Sequence, residues 1–417
     1  MLEYASVQSC RACGNKELLT VLDLGHQALT GVFPRSRDEA DLVAPLELVK
    51  CSPAGCGLVQ LRHDADMKLM YGERYGYRSS IRPFMINHLG TKVADATALR
   101  PLDPGDLVLD IGSNDATLLR HYADQDVQLV GCDPSAEKFR DRYPDRAELI
   151  VDFFSAEAVR TRVGDRKARI ITSIACFYDL PDPIAFMRDI REVLADDGIW
   201  MLEHSYLPSM LETNCYDNIC HEHLEFYALA QIEYMAERAG LRVLTAKVTD
   251  VYGGSLCTVM VKDTDPREVD ATALDRLRGL ETDAKLDTMV PFEAFAGRIE
   301  LHRQELREFL DTSRTAGKLT LGYGASTKGN VVLQYCGISE ADIGCIGEVN
   351  EEKHGCFTPG TKIPIVSEEA AKAQKPDQLL VFPWIFREGY LEREQDFLAG
   401  GGELIFPLPR LDRVGRR

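Results

Sequence analysis

Val108-Leu109-Asp110-Ile111-Gly112-Ser113-Asn114-Asp115-Ala116 decides the reading of this chain. An apolar run meets an acidic residue and a glycine turn, and Leu118-Leu119 open a helical pattern behind them. A strand, loop and helix of this kind hold nucleotides: Gly112 lets the backbone approach a ligand, and the helix N-terminus offers it unpaired N–H groups. The G-x-G-x-x-G spacing is absent, because Asn114 stands where the second glycine belongs, so NAD fits poorly. Twenty-one residues beyond Gly112, the stretch Gln128-Leu129-Val130-Gly131-Cys132 ends in Asp133, a carboxylate placed to hold ribose hydroxyls. The plain alternative is a structural turn in some other α/β domain.

Working outward, the stretches 108–110, 129–132, 170–174 and 199–203 read as buried parallel strands separated by helical stretches. A doubly wound sheet follows from that alternation, with Asp196-Asp197-Gly198 expected as the turn before its fourth strand. Upstream, Met85, Leu89, Val93 and Ala96 share a helical face, and the polar aromatic segment Tyr71-Gly72-Glu73-Arg74-Tyr75-Gly76-Tyr77-Arg78-Ser79-Ser80 is placed to cap a pocket. Downstream, Phe292, Phe295, Ile299, Leu306 and Leu310 line one face of a helix over 291–316 that Gly317 stops. A second glycine-loop unit follows, Leu319-Thr320-Leu321-Gly322-Tyr323-Gly324-Ala325-Ser326-Thr327-Lys328, with strands near 343–346 and 379–382. Gly322 and Gly324 allow close backbone approach, and Ser326 and Lys328 lie where a helix begins, so a diphosphate fits there. A tight strand–helix connection is the other reading of these glycines.

The 417 residues are too many for one core. The expected division is an N-terminal module over 1–70, a central domain over 71–270, and a linker helix with a C-terminal Rossmann-like domain over 271–417. At 45% hydrophobic and 27% charged the chain has globular composition. A formal net charge of −18 with no basic run excludes a phosphate backbone as partner, so no nucleic acid is expected. No signal sequence and no apolar run long enough to span a bilayer are visible, so a cytoplasmic protein without membrane contact is expected.

Twelve cysteines are too few for a disulfide scaffold of this length. Four of them form two pairs, Cys10-Arg11-Ala12-Cys13-Gly14 and Cys51-Ser52-Pro53-Ala54-Gly55-Cys56-Gly57. Tight turns of this kind aim two thiolates each at one ion, and four thiolates suit tetrahedral zinc. A closed four-thiolate shell leaves no position for substrate, so the metal is structural. The remaining eight default to core packing.

Tyr216-Asp217-Asn218-Ile219-Cys220-His221-Glu222-His223-Leu224-Glu225-Phe226-Tyr227 gathers two histidines and three carboxylates. The zinc-protease spacing His-Glu-x-x-His is not matched. On an extended segment His221 and His223 share a side while Glu222 points away. One histidine as general base, its tautomer held by a carboxylate, suits proton abstraction near neutral pH. A structural hydrogen-bonding role and a metal site are the competing readings.

The glycine loop and Asp133 together look like the S-adenosylmethionine site of a class I methyltransferase. Across the chain, Cys-x-x-Cys-Gly, Tyr75-Gly76-Tyr77-Arg78-Ser79-Ser80, the 110–115 loop, Glu222-His223, Gly253-Gly254-Ser255 and Gly322-Tyr323-Gly324-Ala325 occur in order. In that order they resemble the nucleotide-sugar C-methyltransferases, the sugar C-3 methylating enzymes of deoxysugar pathways. The resemblance implies an α/β protein with three parts: a small zinc-binding module, a doubly wound methyltransferase domain, and a Rossmann-like domain that helps hold the nucleotide sugar. It implies a 4-keto-6-deoxy sugar on dTDP, CDP or GDP as substrate, in a monomer or small homo-oligomer. His223 is then the base with Glu222 beside it, Tyr75 approaches the sugar, and His221 is a further catalytic candidate. Asp110, Gly112, Asn114, Asp115, Asp133 and Asp152 are expected at the methyl donor, and Tyr77, Tyr178, Asp179, Cys220, Gly324, Ser326 and Lys328 at the substrate.

Two departures separate this chain from well-known members. Cys220 stands where a tyrosine precedes the base by three residues, and Tyr178 and Asp179 replace an expected histidine. Reaction type therefore carries over better than substrate identity. The implied chemistry is removal of the C3 proton beside the ketone by His223, then attack of the enolate carbon on the sulfonium methyl. Two rival functions remain at this stage: O-methylation of a sugar or small acceptor, and a non-catalytic protein that binds S-adenosylmethionine as a sensed ligand.

Overall fold

The computed structural model describes residues 4–71 and 77–415. Its centre is a seven-stranded sheet. Leu107–Ile111, buried along its whole length, runs parallel to Gln128–Cys132 on one side and Ala168–Ile174 on the other. Ala147–Ile150 closes the first edge, and Leu194–Ser205, Ser255–Lys262 and Leu241–Thr249 extend the second, with Ser255–Lys262 antiparallel to both neighbours. Strand order reverses at Leu107–Ile111, and in doubly wound sheets the crevice at the strand carboxyl ends beside such a reversal holds the ligand. The Gly112 loop and Asp133 both leave the sheet there.

Two details differ from the expected pattern. Asp196-Asp197-Gly198 is no turn: the strand Leu194–Ser205 runs through it, with a register shift between Leu194 and Ile199. A Cβ at Gly198 would lie 2.9 Å from the Ala168 carbonyl oxygen, so the bulge depends on glycine's bare backbone pressing on the next strand. The helix behind the Gly112 loop is a single turn, Thr117–Arg120, rather than a long dipole. The loop is shaped instead by left-handed residues, Gly112, Asn114 and Ala116.

The helix Pro83–Leu99 buries Met85, Leu89, Val93 and Ala96 as its periodicity predicts, and also Lys92. In the N-terminal part, Leu18–Ala28, Val43–Cys51 and Val59–Leu61 form an antiparallel sheet. Its edge is completed by Glu225–Phe226, which arrives from far along the chain beside the candidate catalytic segment. The 26-residue helix Val290–Thr315 buries Phe292, Phe295, Ile299, Leu306 and Leu310 and ends before Gly317 in the left-handed region. Beyond it, Thr320–Tyr323 pairs in parallel with Ile346–Glu348 and Gln378–Val381, the core of a six-stranded sheet. One apolar core runs continuously through all three parts, from Cys10 and Leu46 through Trp200 to Leu379.

Candidate active site

The central and C-terminal parts meet on a cavity of about 380 Å³. Gly112, Asp110 and Asp133 form its floor, Tyr178, Asp179, Cys220, Glu222 and His223 one wall, and Ser326, Thr327, Lys328 and Glu348 the wall contributed by the second glycine-loop unit.

At the floor, Asp133 is held in place before any ligand arrives. Its carboxylate accepts the Asn114 N–H at 2.9 Å, and the Ser135 N–H and hydroxyl at 2.6 Å each. Lone pairs remain on a carboxylate so bonded. Beside it, burial pushes the Asp110 carboxyl up to about 7; a 2.6 Å hydrogen bond from Thr172 Oγ1 opposes the rise and the charge of Asp133 adds to it. Two carboxylates on one floor suit a ligand that brings a cation and hydroxyls, and the neighbouring Phe153, Phe154, Leu180 and Phe186 suit an apolar base. S-adenosylmethionine has those groups. The Cβ of an alanine at Gly112 would meet Cys176 at 3.0 Å, and its φ of +72° independently favours glycine.

Asn114 lines the cavity beside Gly112 and Asp133 while Asp115 does not, and the side chains of both also hold a neighbouring segment. Asn114 Oδ1 accepts the Ser79 N–H at 3.0 Å, its Nδ2 donates to the Tyr77 carbonyl at 3.2 Å, and Asp115 accepts the Ser80 N–H at 3.2 Å. Asp115 is wholly buried and also faces Arg78 at 3.6 Å. Together they tie down the end of the polar aromatic segment, where Tyr77 is exposed and lines the cavity. Asp152 is exposed, does not reach the cavity wall and caps the N–H of Phe153, which does. Tyr75 lies outside the described residues.

The segment 220–223 is a turn, not an extended strand: the His223 N–H donates to the Cys220 carbonyl at 3.0 Å. That turn separates the two histidines. His223 and Glu222 face the cavity, whereas His221 is buried against the N-terminal sheet, 3.2 Å from the Ala44 carbonyl. The tautomer of His223 is set by a carbonyl rather than by a carboxylate, with Nδ1 2.8 Å from the Asn218 oxygen. Nδ1 therefore carries the proton and Nε2 is left as the acceptor. Burial, then the nearby charge of Lys328, lowers its pKa to about 3, and the Tyr178 ring stands edge-on at 4.3 Å. Glu222 is anchored by the N-terminal part: Thr30 donates to Oε2 at 3.1 Å, and a Cβ on Gly31 would fall 2.5 Å from Oε1.

On the opposite wall, Ser326 caps the helix Thr327–Tyr335 by accepting the Gly329 N–H at 2.9 Å, and Lys328 lies in its first turn. Gly324 does not reach the wall. A Cβ there would strike Pro383 at 2.5 Å, so this glycine serves packing. Sequence reasoning missed Glu348, whose carboxylate accepts the N–H groups of Ala325, Val349 and Asn350 at 2.7, 2.9 and 2.9 Å. It ends the strand after the second glycine loop, as Asp133 directly follows the strand after the first, and that likeness was the available signal. Lys353, which donates to the Ala325 carbonyl at 2.7 Å, and Arg82, whose guanidinium stacks 4.5 Å over Phe386, also line the cavity. No sequence pattern marked them.

The sulfur atoms of Cys10, Cys13, Cys51 and Cys56 lie within 4.8 Å of one another. Cys10 and Cys56 are 3.5 Å apart and Cys13 and Cys51 3.6 Å, too long for disulfides and near the roughly 3.8 Å sulfur edge of a tetrahedral zinc thiolate. Gly55 packs so close that a Cβ would sit 2.4 Å from Cys51 Sγ. The donor set fits zinc, and with all four positions filled by sulfur the ion is structural.

Comparison with known proteins finds three family matches along the chain. Residues 10–71 match a zinc binding domain family, 85–246 a family described as methyltransferase domain, and 250–409 one described as C-methyltransferase C-terminal domain. The chain is 31% identical over 409 residues to the C-methyltransferase NovU of Streptomyces niveus, covering 97% of this chain and 96% of that one. Among solved structures, the CcbJ methyltransferase from Streptomyces caelestis aligns with 45% of this chain and 99% of its own at 15% identity and a TM-score of 0.34. The mitomycin 7-O-methyltransferase MmcR aligns with 43% of this chain and 54% of its own at 17% identity and a TM-score of 0.35. The full-length match and the three family matches, together with a floor that fits the methyl donor, establish that this chain belongs to the S-adenosylmethionine-dependent C-methyltransferases, with a zinc-binding module at its N-terminal end.

Proposed function

We propose that the acceptor is a nucleotide-linked 4-keto-6-deoxy sugar and that the methyl group goes to its C3. The observation that carries this reading is the pairing, across one cavity, of an unprotonated imidazole nitrogen on His223 with a cationic helix start at Lys328. A hydrogen on carbon beside a ketone is acidic enough for a positioned base. A diphosphate suits the Ser326–Lys328 end, where helix N–H groups and an ammonium face the cavity.

Asp110 and Asp133 would hold S-adenosylmethionine, which when bound would supply an electrophilic methyl on sulfonium. His223 Nε2 takes the C3 proton, and the Asn218 carbonyl steadies the resulting imidazolium through Nδ1. A diphosphate beside Lys328 offsets the positive charge that now depresses the histidine, so the base strengthens when substrate is in place. Tyr77, Arg78 and Ser79, tied down by Asn114, line the same cavity.

The test is incubation with S-adenosylmethionine and a panel of 4-keto-6-deoxyhexoses on dTDP, CDP and GDP. Mass spectrometry should find a gain of one methyl, and carbon NMR should place it on C3 rather than C5, the other carbon flanking a C4 ketone. A methyl on oxygen contradicts the reading.

A further inference from the structure

Asp179 occupies the cavity wall at a place where the family resemblance leads one to expect a histidine. Its side chain is buried, at 8% exposure, yet lines the cavity. The Tyr71 hydroxyl hydrogen-bonds to the carboxyl, while Oδ1 has no hydrogen-bond partner among the described residues. The charged group acting on it is Glu222, a second buried carboxylate on the same wall, and no cation is among its influences. Lys328 acts on His223 and Cys220 instead.

Two carboxylates buried side by side without a counterion cannot both be ionised. Burial drives both upward. Glu222 keeps the advantage in ionisation, because hydrogen bonds from its own backbone, the Cys220 thiol and the Thr30 hydroxyl favour its charged form, whereas Asp179 has only the Tyr71 hydroxyl. The proton therefore stays on Asp179. A carboxylic acid with its O–H turned into a cavity needs an acceptor from the ligand.

We infer that Asp179 is a catalytic residue of this chain, donating a hydrogen bond to the substrate's carbonyl oxygen while His223 removes the neighbouring proton. The inference rests on the C-methylation reading above. The C–H electron pair becomes the C=C bond of the enolate, the carbonyl π pair moves onto oxygen, and the Asp179 O–H holds that oxygen without losing its proton. When the enolate carbon takes the methyl, the donor's S–CH3 bond breaks with its electron pair left on sulfur as S-adenosylhomocysteine, the carbonyl re-forms, and the proton on His223 goes to solvent. A donor of this kind, itself buried, acts as an oxyanion hole.

The experiment measures washout of substrate C–H by NMR in deuterated buffer, using dTDP-4-keto-6-deoxyglucose with S-adenosylhomocysteine. Asp179→Ala should lower washout by about 10²–10³-fold, the usual effect of removing one oxyanion donor. Asp179→Asn places an N–H donor at the same spot and should stay within about tenfold of wild type. Both variants should keep the wild-type zinc content and calorimetric affinity for S-adenosylmethionine, which excludes misfolding as the cause. Wild-type washout should also decline at high pH as Asp179 ionises, a limb that Asp179→Asn lacks. The groups around it, Glu222 and Tyr71 acting on it and Cys176, Cys220, Glu225 and Tyr227 feeling its charge, are present in both proteins and cancel in that comparison. Equal loss in the Asn and Ala variants overturns the inference alone, because the ionised form would then be the one required. Absence of washout by wild type overturns the C-methylation reading and this inference with it.

Discussion

His221 and His223 are two residues apart and live in different environments, on either side of a tight turn packed on the N-terminal sheet. The turn closed between Cys220 and His223 sends His221 into the N-terminal sheet. Burial there lowers its pKa to about 4 from the ordinary 6.5, with the Ala44 and Pro45 carbonyls opposing the shift. Between those values the unfolded chain binds a proton that the folded chain refuses. The stability contributed by neutral His221 is thus complete above about pH 6.5 and falls away as pH drops toward 4, by about 1.4 kcal/mol per unit. In urea unfolding across that range, His221→Gln should lack this part of the slope, so that wild type loses ground to the variant as acid is added; parallel curves would rule out a titrating His221. What was legible in the sequence here was the cluster of chemistry-bearing residues, including His223 and Glu222. Which histidine faces the cavity was not, since alternation in an extended segment and a tight turn use the same residues and only the neighbouring sheet decides between them.

Strands were the most legible elements, because the buried parallel ones are continuous apolar runs, as at Leu107–Ile111 and Ala168–Ile174. The bulge at Gly198 and the one-turn helix Thr117–Arg120 were not, because both depend on contacts with elements distant in sequence. Asn114 illustrates the same limit. It was expected at the donor for its place in the loop, and its side chain also holds Ser79 and Tyr77. Asn114→Ala removes those bonds and puts alanine at a φ of +45°, which asparagine tolerates better. The segment should loosen, and limited trypsin digestion should cut after Arg78 severalfold faster than in wild type. An unchanged cleavage rate would mean that other contacts hold the segment.

At the scale of the whole molecule the zinc-binding module supports the active site as well as itself. Thr30 holds Glu222, Ala44 receives His221, and Arg11, set between two zinc ligands, lies 3.3 Å from the buried Glu225 carboxylate. Glu225 in turn begins the strand that joins the N-terminal sheet. Cys51→Ser should therefore release about one equivalent of zinc by elemental analysis and lose methyl transfer with it, because metal binding supplies folding free energy to the module that braces the catalytic turn. A metal-free protein with full activity and stability would refute the coupling. The cysteine spacing announced the metal, but nothing in it announced the bracing. The central claim is that His223 generates a carbanion equivalent at the sugar carbon before methyl transfer. It is tested most directly by NMR of C3 deuterium incorporation into the 4-keto sugar nucleotide with the demethylated donor bound, comparing wild type with His223→Asn. The account predicts exchange in wild type and a loss of about 10²–10⁴ in the variant, with both ligands still bound; exchange at the wild-type rate in His223→Asn would contradict it.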